Sequence, residues 1–553
     1  HVSTDPSRLT GAVVLGIKDR DTFPLIFMRE NCADMAIAEA DVEEAYIAKA
    51  RALLITGTHL STEYINRIST LALDRARKND VRTVLDIDYR PVLWGLTSRG
   101  DGETRFIASD GVAAHLQKML PKFDLVIGTI EEFNIAGGSL DIMASLRAVR
   151  AVTHATLVVK RGPMGCAVID GAIPASLDEA FNGEGVTVEV LNVLGAGDAF
   201  SAGFLSGWVK GEDYGRCARY ANACGALVVS RHGCAPAMPT RVELDYFIAN
   251  AASIPRPDQD ATLTRLHRMT APRARRDEVF AFAFDHRNPF FEIAQRAGAP
   301  ESRIPALKKL LVSAVAETDG ALRLGGRTGL LCDDRYGQDA LNEATGRGWW
   351  IGRPVELPGS NPVQFDRGRS IGTTLIGWPA EHVVKCLVQY HPDDPVLHRL
   401  EQESQIRALY DAVQASGHEL LLEIIPPKHM ARDDDTVYRA LKRLYNLGIH
   451  PEWWKLEPMS PAQWEKVDAL IAERDPHCRG VLLLGLNAHL DTLAQGFRDA
   501  RASRTCKGFA VGRTIFNAPA QAWLEGAIDD AELTKRVRAN YEALIHAWRS
   551  AKQ

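Results

Sequence analysis

Twice along this chain, short runs of continuously apolar residues alternate with stretches of helical periodicity, and a proline-punctuated segment separates the two series. In the first half the runs are 52–57, 83–88, 123–128 and 156–160, with a helical pattern over 63–78 between the first two. A run that is apolar at every position suits a strand covered on both faces, as in a mainly parallel sheet between helices. The pattern predicts an α/β, doubly wound domain over residues 1–253. Pro255, Pro257 and Pro272 then fall among charged residues, which places a linker at 254–276. Eight further candidate strands follow, at 279–285, 329–333, 349–353, 383–390, 419–425, 453–457, 480–486 and 508–512. That count, in a segment of this length, predicts a (β/α)8 TIM barrel over 277–553. The stretch before Val383 leaves little room for a full helix.

A length of 553 residues agrees with two domains, because single cores stop growing at about 250–300 residues. A formal net charge of -5 supplies no basic excess for nucleic acid or an anionic membrane surface. No uninterrupted apolar stretch reaches the ~20 residues that span a bilayer. The nine cysteines are scattered and never form Cys-x-x-Cys, a usage that fits a reduced, cytoplasmic chain. A homo-oligomer acting on small molecules is expected.

The first chemistry-bearing motif is Gly195-Ala-Gly-Asp198, immediately before an apolar helical pattern. Small residues let backbone amides approach an anion, and a helix start adds its positive dipole end. A carboxylate at that place can take a proton from a hydroxyl while the amides hold a transferring phosphoryl group. A plain strand-to-helix turn capped by Asp would show the same spacing.

Context favours the first reading. The run Leu191-Asn-Val-Leu-Gly-Ala-Gly-Asp-Ala-Phe200 resembles the signature of the ribokinase-like carbohydrate kinases. The resemblance covers roughly residues 1–250 and implies a ribokinase-like fold using ATP and Mg2+. It implies an anion hole at Gly195, Ala196 and Gly197, with Asp198 as catalytic base. Lys160-Arg-Gly-Pro-Met-Gly165 resembles the family's nucleotide-proximal turn, which carries Lys160, Gly162 and Gly165 over. Glu131 in Gly128-Thr-Ile-Glu131 matches the acid that organises magnesium through water, and Asn222 falls in the helix beside adenine. Asn192-Val193 and Gly128 depart from the family's usual Asp-Thr and Asn, which bears on cation coordination. The runs at 23–34 and 86–94 are closer to the 5-dehydro-2-deoxygluconokinases of inositol catabolism. There Arg29 and Asn31 would contact a sugar acid, or else stand as surface polar residues of a lid hairpin. Arg90 would bind phosphate or cap a strand end. The family's opening strand and Gly-Gly-x-x-x-Asn segment have no counterpart here, so a missing first stretch and an incomplete sugar site with little kinase activity are expected.

The second half resembles the class I tagatose-bisphosphate aldolase type of barrel, over most of 277–550. The matching runs include Ala283-Phe-Asp-His-Arg287, Val384-Lys-Cys-Leu-Val-Gln-Tyr390, Leu422-Glu-Ile424, Lys455-Leu-Glu-Pro458 and Gly508-Phe-Ala-Val-Gly-Arg513. The resemblance implies Lys455 as Schiff-base lysine, Lys385 as its electrostatic partner and Glu423 as proton carrier. Asp285, Arg287, Gly512 and Arg513 would hold substrate. Two close ammonium groups are expected to depress each other's pKa. Lysines neutralised by Glu423 and Glu457, in a scaffold or phosphosugar-sensing barrel, are the alternative. Several members of the kinase subfamily carry such a C-terminal domain, assigned as 5-dehydro-2-deoxyphosphogluconate aldolase. A bifunctional enzyme is therefore expected, phosphorylating 5-dehydro-2-deoxy-gluconate at C6 and cleaving the product. A kinase for another sugar or sugar acid is its rival. The pairs Trp349-Trp350 and Trp453-Trp454 are expected to pack rather than bind ligand.

Overall fold

The computed structural model describes residues 3–19, 22–98, 100–271, 276–485 and 487–552. They fall into two compact units, His1–Ala271 and Pro272–Gln553.

In the first unit an antiparallel ribbon of β1 (Ala12–Leu15) and β2 (Leu25–Met28) stands apart from the main sheet. That sheet has six strands in sequence order: β3 (Ala52–Thr56), β4 (Arg82–Asp86), β5 (Leu125–Thr129), β6 (Thr156–Lys160), β7 (Cys166–Ile169) and β8 (Phe181–Gly183). The first four are parallel, joined through helices; the last two turn back antiparallel. β4, β5 and β6 are buried almost throughout, as continuously apolar runs require. The helix read at 63–78 forms as Glu63–Lys78, with Thr62 accepting from the Ile65 amide at its start.

The linker expected at 254–276 is for the most part not a linker. Residues Ala261–Thr270 form a helix capped by Asp260, with Leu263 and Met269 buried. Thr270 Oγ1 lies 2.6 Å from Thr240 Oγ1, and His267 lies 3.1 Å from Glu243, so the helix belongs to the first unit. Proline density marks the short 3-10 turn Pro257–Gln259 just before it; the apolar positions that seat the helix are too few to stand out from the sequence. Residues 272–275 of the expected linker, and Leu486 of the expected seventh barrel strand, lie outside the described residues.

The second unit is a closed parallel barrel of eight strands. These are β9 (Val279–Ala283), β10 (Thr328–Leu331), β11 (Trp350–Pro354), β12 (His382–Gln389), β13 (Glu419–Ile425), β14 (Trp453–Leu456), β15 (Gly480–Leu484) and β16 (Cys506–Val511), with β16 closing on β9. The helix before β12 has only five residues, Ile371–Leu375. Period-two alternation sorts the side chains. Val279, Ala281, Ala283, Leu331, Trp350, Val383, Leu421, Trp453, Leu482 and Ala510 form one buried cluster. Phe280, Phe282, Val384, Leu422, Trp454 and Phe509 pack in another, with helical residues such as Leu311, Leu409 and Trp548. The first cluster fills the barrel, and small residues on β9 leave room for Trp350 and Trp453, which meet edge to face at 5.7 Å. The paired tryptophans therefore pack, one of each pair inside and one outside.

Candidate functional sites

In the first unit, β4, β5 and β6 end at a common edge, and the helix Ala196–Trp208 begins there. Open α/β sheets bind ligands beyond the carboxyl ends of such strands. Gly195 enters the helix at φ 83, a left-handed conformation, and no side chain caps the helix start. That leaves first-turn amides for an anion. Lys160, at the end of β6, reaches the same place: a Cβ on Gly197 would lie 3.5 Å from its Nζ.

Lys160 is held 3.1 Å from Asp86 and 3.6 Å from Glu132, and Asp86 also accepts a 2.7 Å hydrogen bond from Ser201 Oγ. Burial alone would lower the Lys160 pKa, but Asp86 and Glu132 outweigh it and raise it, so Lys160 stays charged. Arg90 pairs with Asp88 at 2.8 Å and lies 3.8 Å from Glu132. Asp198 is exposed beside this network; desolvation and the Asp86 charge raise its pKa, against Lys160 and Arg90. The acid turned into the cleft is Glu132, not the expected Glu131, which is exposed. A capping box explains the choice: Thr129 and Glu132 satisfy each other's backbone amides at the helix start and so aim Glu132 inward.

The turn after Lys160 carries Gly162 at φ 58 and Gly165 at φ 85. A Cβ on Gly165 would meet the Gly183 carbonyl at 2.0 Å, so this turn presses against the end of β8. Asn222 is buried and donates to the carbonyls of Glu184 at 2.7 Å and Gly183 at 3.3 Å. It braces that segment instead of presenting a free amide. Beyond it lies a cavity of about 700 Å³ lined by Phe181, Gly185, Arg219, Ala223 and Ile248 among others. Past β2, Arg29 is half-buried and paired with Asp34, while Asn31 is exposed at φ 49 and accepts from Arg8 Nε at 3.1 Å.

In the second unit, the side chains two positions above the barrel filling are charged. Asp285 follows Ala283, Lys385 follows Val383, Glu423 follows Leu421 and Lys455 follows Trp453, each on the inner face and nearly inaccessible. They form a chain of alternating sign. Lys455 Nζ is 3.0 Å from Glu423 Oε1, and Glu423 Oε2 is 3.2 Å from Lys385 Nζ. Lys385 also meets Asp285 at 3.2 Å and Glu356 at 2.9 Å; Glu356 in turn accepts from Arg287 at 3.2 Å. The Arg287 side chain is buried, and its Nε has no partner among the described residues.

The expected mutual depression of two lysines does not hold for Lys385. Burial lowers its pKa, but Asp285, Glu356 and Glu423 together raise it well above the ordinary value. Asp285 and Glu423 are correspondingly held low by the lysines despite burial. Glu457, the other expected neutraliser, pairs with Arg432 at 2.9 Å. His286 beside them is pulled down to about 4 by burial and the nearby Lys455, Lys385 and Arg513 charges, against Asp285. Gly512 brings β16 onto β9, where a Cβ would meet the Ala283 carbonyl at 2.0 Å, and Arg513 opens the helix Arg513–Leu524. Lys308, fully buried, donates to the carbonyls of Phe284 at 2.8 Å and His286 at 3.1 Å and pairs with Asp333, fixing the segment that carries Asp285.

Sequence reasoning missed Asp86, Glu132, His286 and Glu356. The first three sit inside or beside motifs that were read. Glu356 lies on an excursion after β11 with no pattern of its own.

Three comparisons bear on these sites. The family model described as pfkB family carbohydrate kinase matches residues 1–241. A model described as an uncharacterized protein conserved in bacteria, DUF2090, matches 243–552. The chain is 31% identical over 265 residues to 5-dehydro-2-deoxygluconokinase 1 of Bacillus cereus, covering 46% of this chain and 74% of that protein. It is 32% identical over 252 residues to a 5-dehydro-2-deoxygluconokinase of Bacillus anthracis, covering 44% and 70%. A crystal structure of fructokinase from Vibrio cholerae, with fructose, ADP and calcium ion bound, aligns at a TM-score of 0.37 and 22% identity, covering 44% of this chain and 75% of that one.

Proposed function

Because the chain belongs to the pfkB family of carbohydrate kinases through its first half and to the DUF2090 family through its second, we propose that it is a bifunctional enzyme: it phosphorylates 5-dehydro-2-deoxy-gluconate at C6 and cleaves the product. In the kinase unit, Asp198 takes the proton of the C6 hydroxyl as the oxygen attacks the γ-phosphorus of ATP. The first-turn amides at Gly195–Asp198 and the Lys160 ammonium hold the charge on the transferring group. The cavity beside Phe181 and Ile248 is the place for the base. The described residues contain no group of three or more His, Cys, Asp or Glu gathered to hold a metal. Mg2+ keeps several waters and binds chiefly through phosphates, and Asp88 and Glu132, both paired with Arg90, would orient those waters. Arg29 and Asn31 are assigned to the sugar acid.

The observation that carries the cleavage reading is the run Lys455–Glu423–Lys385 on the inner face of the barrel mouth. Lys455, paired with one carboxylate, attacks the C5 ketone; water leaves and an imine forms. Glu423 takes the proton of the C3 hydroxyl, the C3–C4 bond breaks, and its electrons pass into the imine. Protonation at C4 and hydrolysis release dihydroxyacetone phosphate, with malonic semialdehyde as the other fragment. The Lys385 ammonium holds the C3 oxygen as it becomes a carbonyl. Arg287, with an unused buried donor, suits the substrate carboxylate, and Gly512 and Arg513 suit the phosphate.

The test supplies two substrates to the intact chain. With the 6-phosphate of 5-dehydro-2-deoxy-gluconate, release of dihydroxyacetone phosphate is expected and is read by glycerol-3-phosphate dehydrogenase and NADH. With ATP and a panel of sugars and sugar acids, little turnover is expected from this chain on any of them, with the highest kcat/KM for 5-dehydro-2-deoxy-gluconate. No triose phosphate from folded protein would leave the barrel a scaffold or sensor, and preference for a neutral hexose would displace the kinase assignment.

A further inference from the structure

The two inner-face lysines lie in very different surroundings: Lys385 meets three carboxylates, and Lys455 shares one of them. Lys385 is flanked by Asp285 from the end of β9, Glu423 from β13 and Glu356 from the segment after β11, at 3.2, 3.2 and 2.9 Å. Lys455 meets Glu423 at 3.0 Å. Glu356 is itself fixed: Oε1 accepts from Lys385 and Arg287, and Oε2 accepts from the Leu387 amide at 3.2 Å. Its segment is tied down by the bridge between Glu356 and Phe365 and by the 2.9 Å bond from the Asp366 amide to the Val355 carbonyl. Its side chain is 8% exposed, which excludes competing water.

We propose that Glu356 is the positioning residue that assigns the two lysines their roles, holding the Lys385 amino group between three carboxylates so that Lys455 is the amine that attacks a carbonyl. This rests on the reading that the barrel works through an imine. An ammonium group has no lone pair to offer a carbonyl carbon, and Asp285, Glu356 and Glu423 hold Lys385 in that form, whereas among the described residues Lys455 pairs with Glu423, which it shares with Lys385. The groups facing the pair are Asp285, His286, Arg287, Glu356, Glu423 and Arg513. Glu356 is the acid among them that contacts Lys385 and Arg287 together, so its neutralisation loosens both. Asp285 and Glu423 remain at Lys385 in that case, and the shift in its proton affinity is partial.

The probe is pyridoxal 5′-phosphate, whose aldehyde tests amine availability without requiring turnover. The lysine nitrogen bonds to the aldehyde carbon, water leaves, and borohydride delivers hydride to the imine carbon and fixes a secondary amine. Peptide mapping of the wild-type chain between pH 6 and 9 is expected to find the adduct on Lys455 and at least tenfold less on Lys385. In Glu356→Gln, labelling of Lys385 is expected to rise at least tenfold, with its onset at lower pH, while circular dichroism and melting report the fold. Glu356→Asp, which keeps the charge, is expected to restore the wild-type pattern in part. Equal labelling of both lysines in the wild type, or an unchanged ratio in a folded Glu356→Gln chain, would overturn the proposal. A parallel incubation with dihydroxyacetone phosphate and borohydride separates this from the parent reading. If pyridoxal phosphate discriminates between the lysines but the triose gives no adduct, the cleavage activity falls and the division between the lysines stands.

Discussion

Asp198 is the base of the proposed phosphoryl transfer. It stands in the first turn of a helix, where desolvation and the Asp86 charge raise its pKa against Lys160 and Arg90. Asp198→Asn is expected to lower kcat for phosphoryl transfer by about 10²–10⁴-fold with little change in the KM for ATP. The raised pKa has a sign: a protonated base accepts nothing, so activity falls as pH drops through a value above the ordinary ~3.9 of Asp. A pH series of kcat/KM checks this, and an acid limb at or below the ordinary value would contradict it. Residues of this kind were readable because glycine spacing and a following helix announce an anion site. The neighbouring acid was misplaced by one position: Glu131 and Glu132 are adjacent, and only the reciprocal cap with Thr129 decides which one turns inward. Glu356 left no mark in the sequence, since its role depends on where an irregular segment folds back.

At the scale of elements, the turn between β6 and β7 is a close fit of backbone on backbone. Gly165→Ala would place a Cβ 2.0 Å from the Gly183 carbonyl at a residue with φ 85. The expected outcome is a loss of ~1–3 kcal/mol of stability from the forced conformation, seen as a lower melting temperature, and a raised KM for ATP. An unchanged melting curve would contradict the packing. The strands β3 to β6 and those of the barrel were legible because continuous apolar runs between turn residues have few other readings, whereas β1, β2, β7 and β8 were not read. All eight barrel strands lie where such runs were read, with ends shifted by a few residues. The helix Ala261–Thr270 escaped because prolines and charges dominate its surroundings while two or three apolar residues seat it. Both lysines face inward as alternation predicts, but the expected depression fails for Lys385 because the charges it meets there come from strands remote in sequence.

For the whole molecule, each unit has its own core and its own charged site, so the two activities should be separable. Asp198→Asn is expected to cut phosphoryl transfer by about 10²–10⁴-fold and leave triose phosphate release from supplied substrate unchanged. Lys455→Met is expected to do the reverse, accumulating the phosphorylated sugar acid when ATP and sugar acid are given. Cross-effects beyond about twofold would contradict this independence. The barrel also carries a pH signature. Asp285 and Glu423 have folded pKa values below their unfolded ones. Their contribution to stability is therefore present above the unfolded range near ~4 and is lost as pH falls from there toward the folded values. Melting followed by circular dichroism should show the barrel weakening below about pH 4, and less steeply in Glu423→Gln.

The most direct test of the two-activity account is the covalent intermediate itself. The intact chain is incubated with dihydroxyacetone phosphate, reduced with borohydride and digested, and the modified peptide is sequenced by mass spectrometry. The account predicts one reduced triose phosphate adduct, on Lys455 within Trp453-Trp-Lys-Leu-Glu-Pro458, absent from Lys455→Met and weakened in Lys385→Met. An adduct on Lys385 instead, or none on either lysine in a folded barrel, would contradict it.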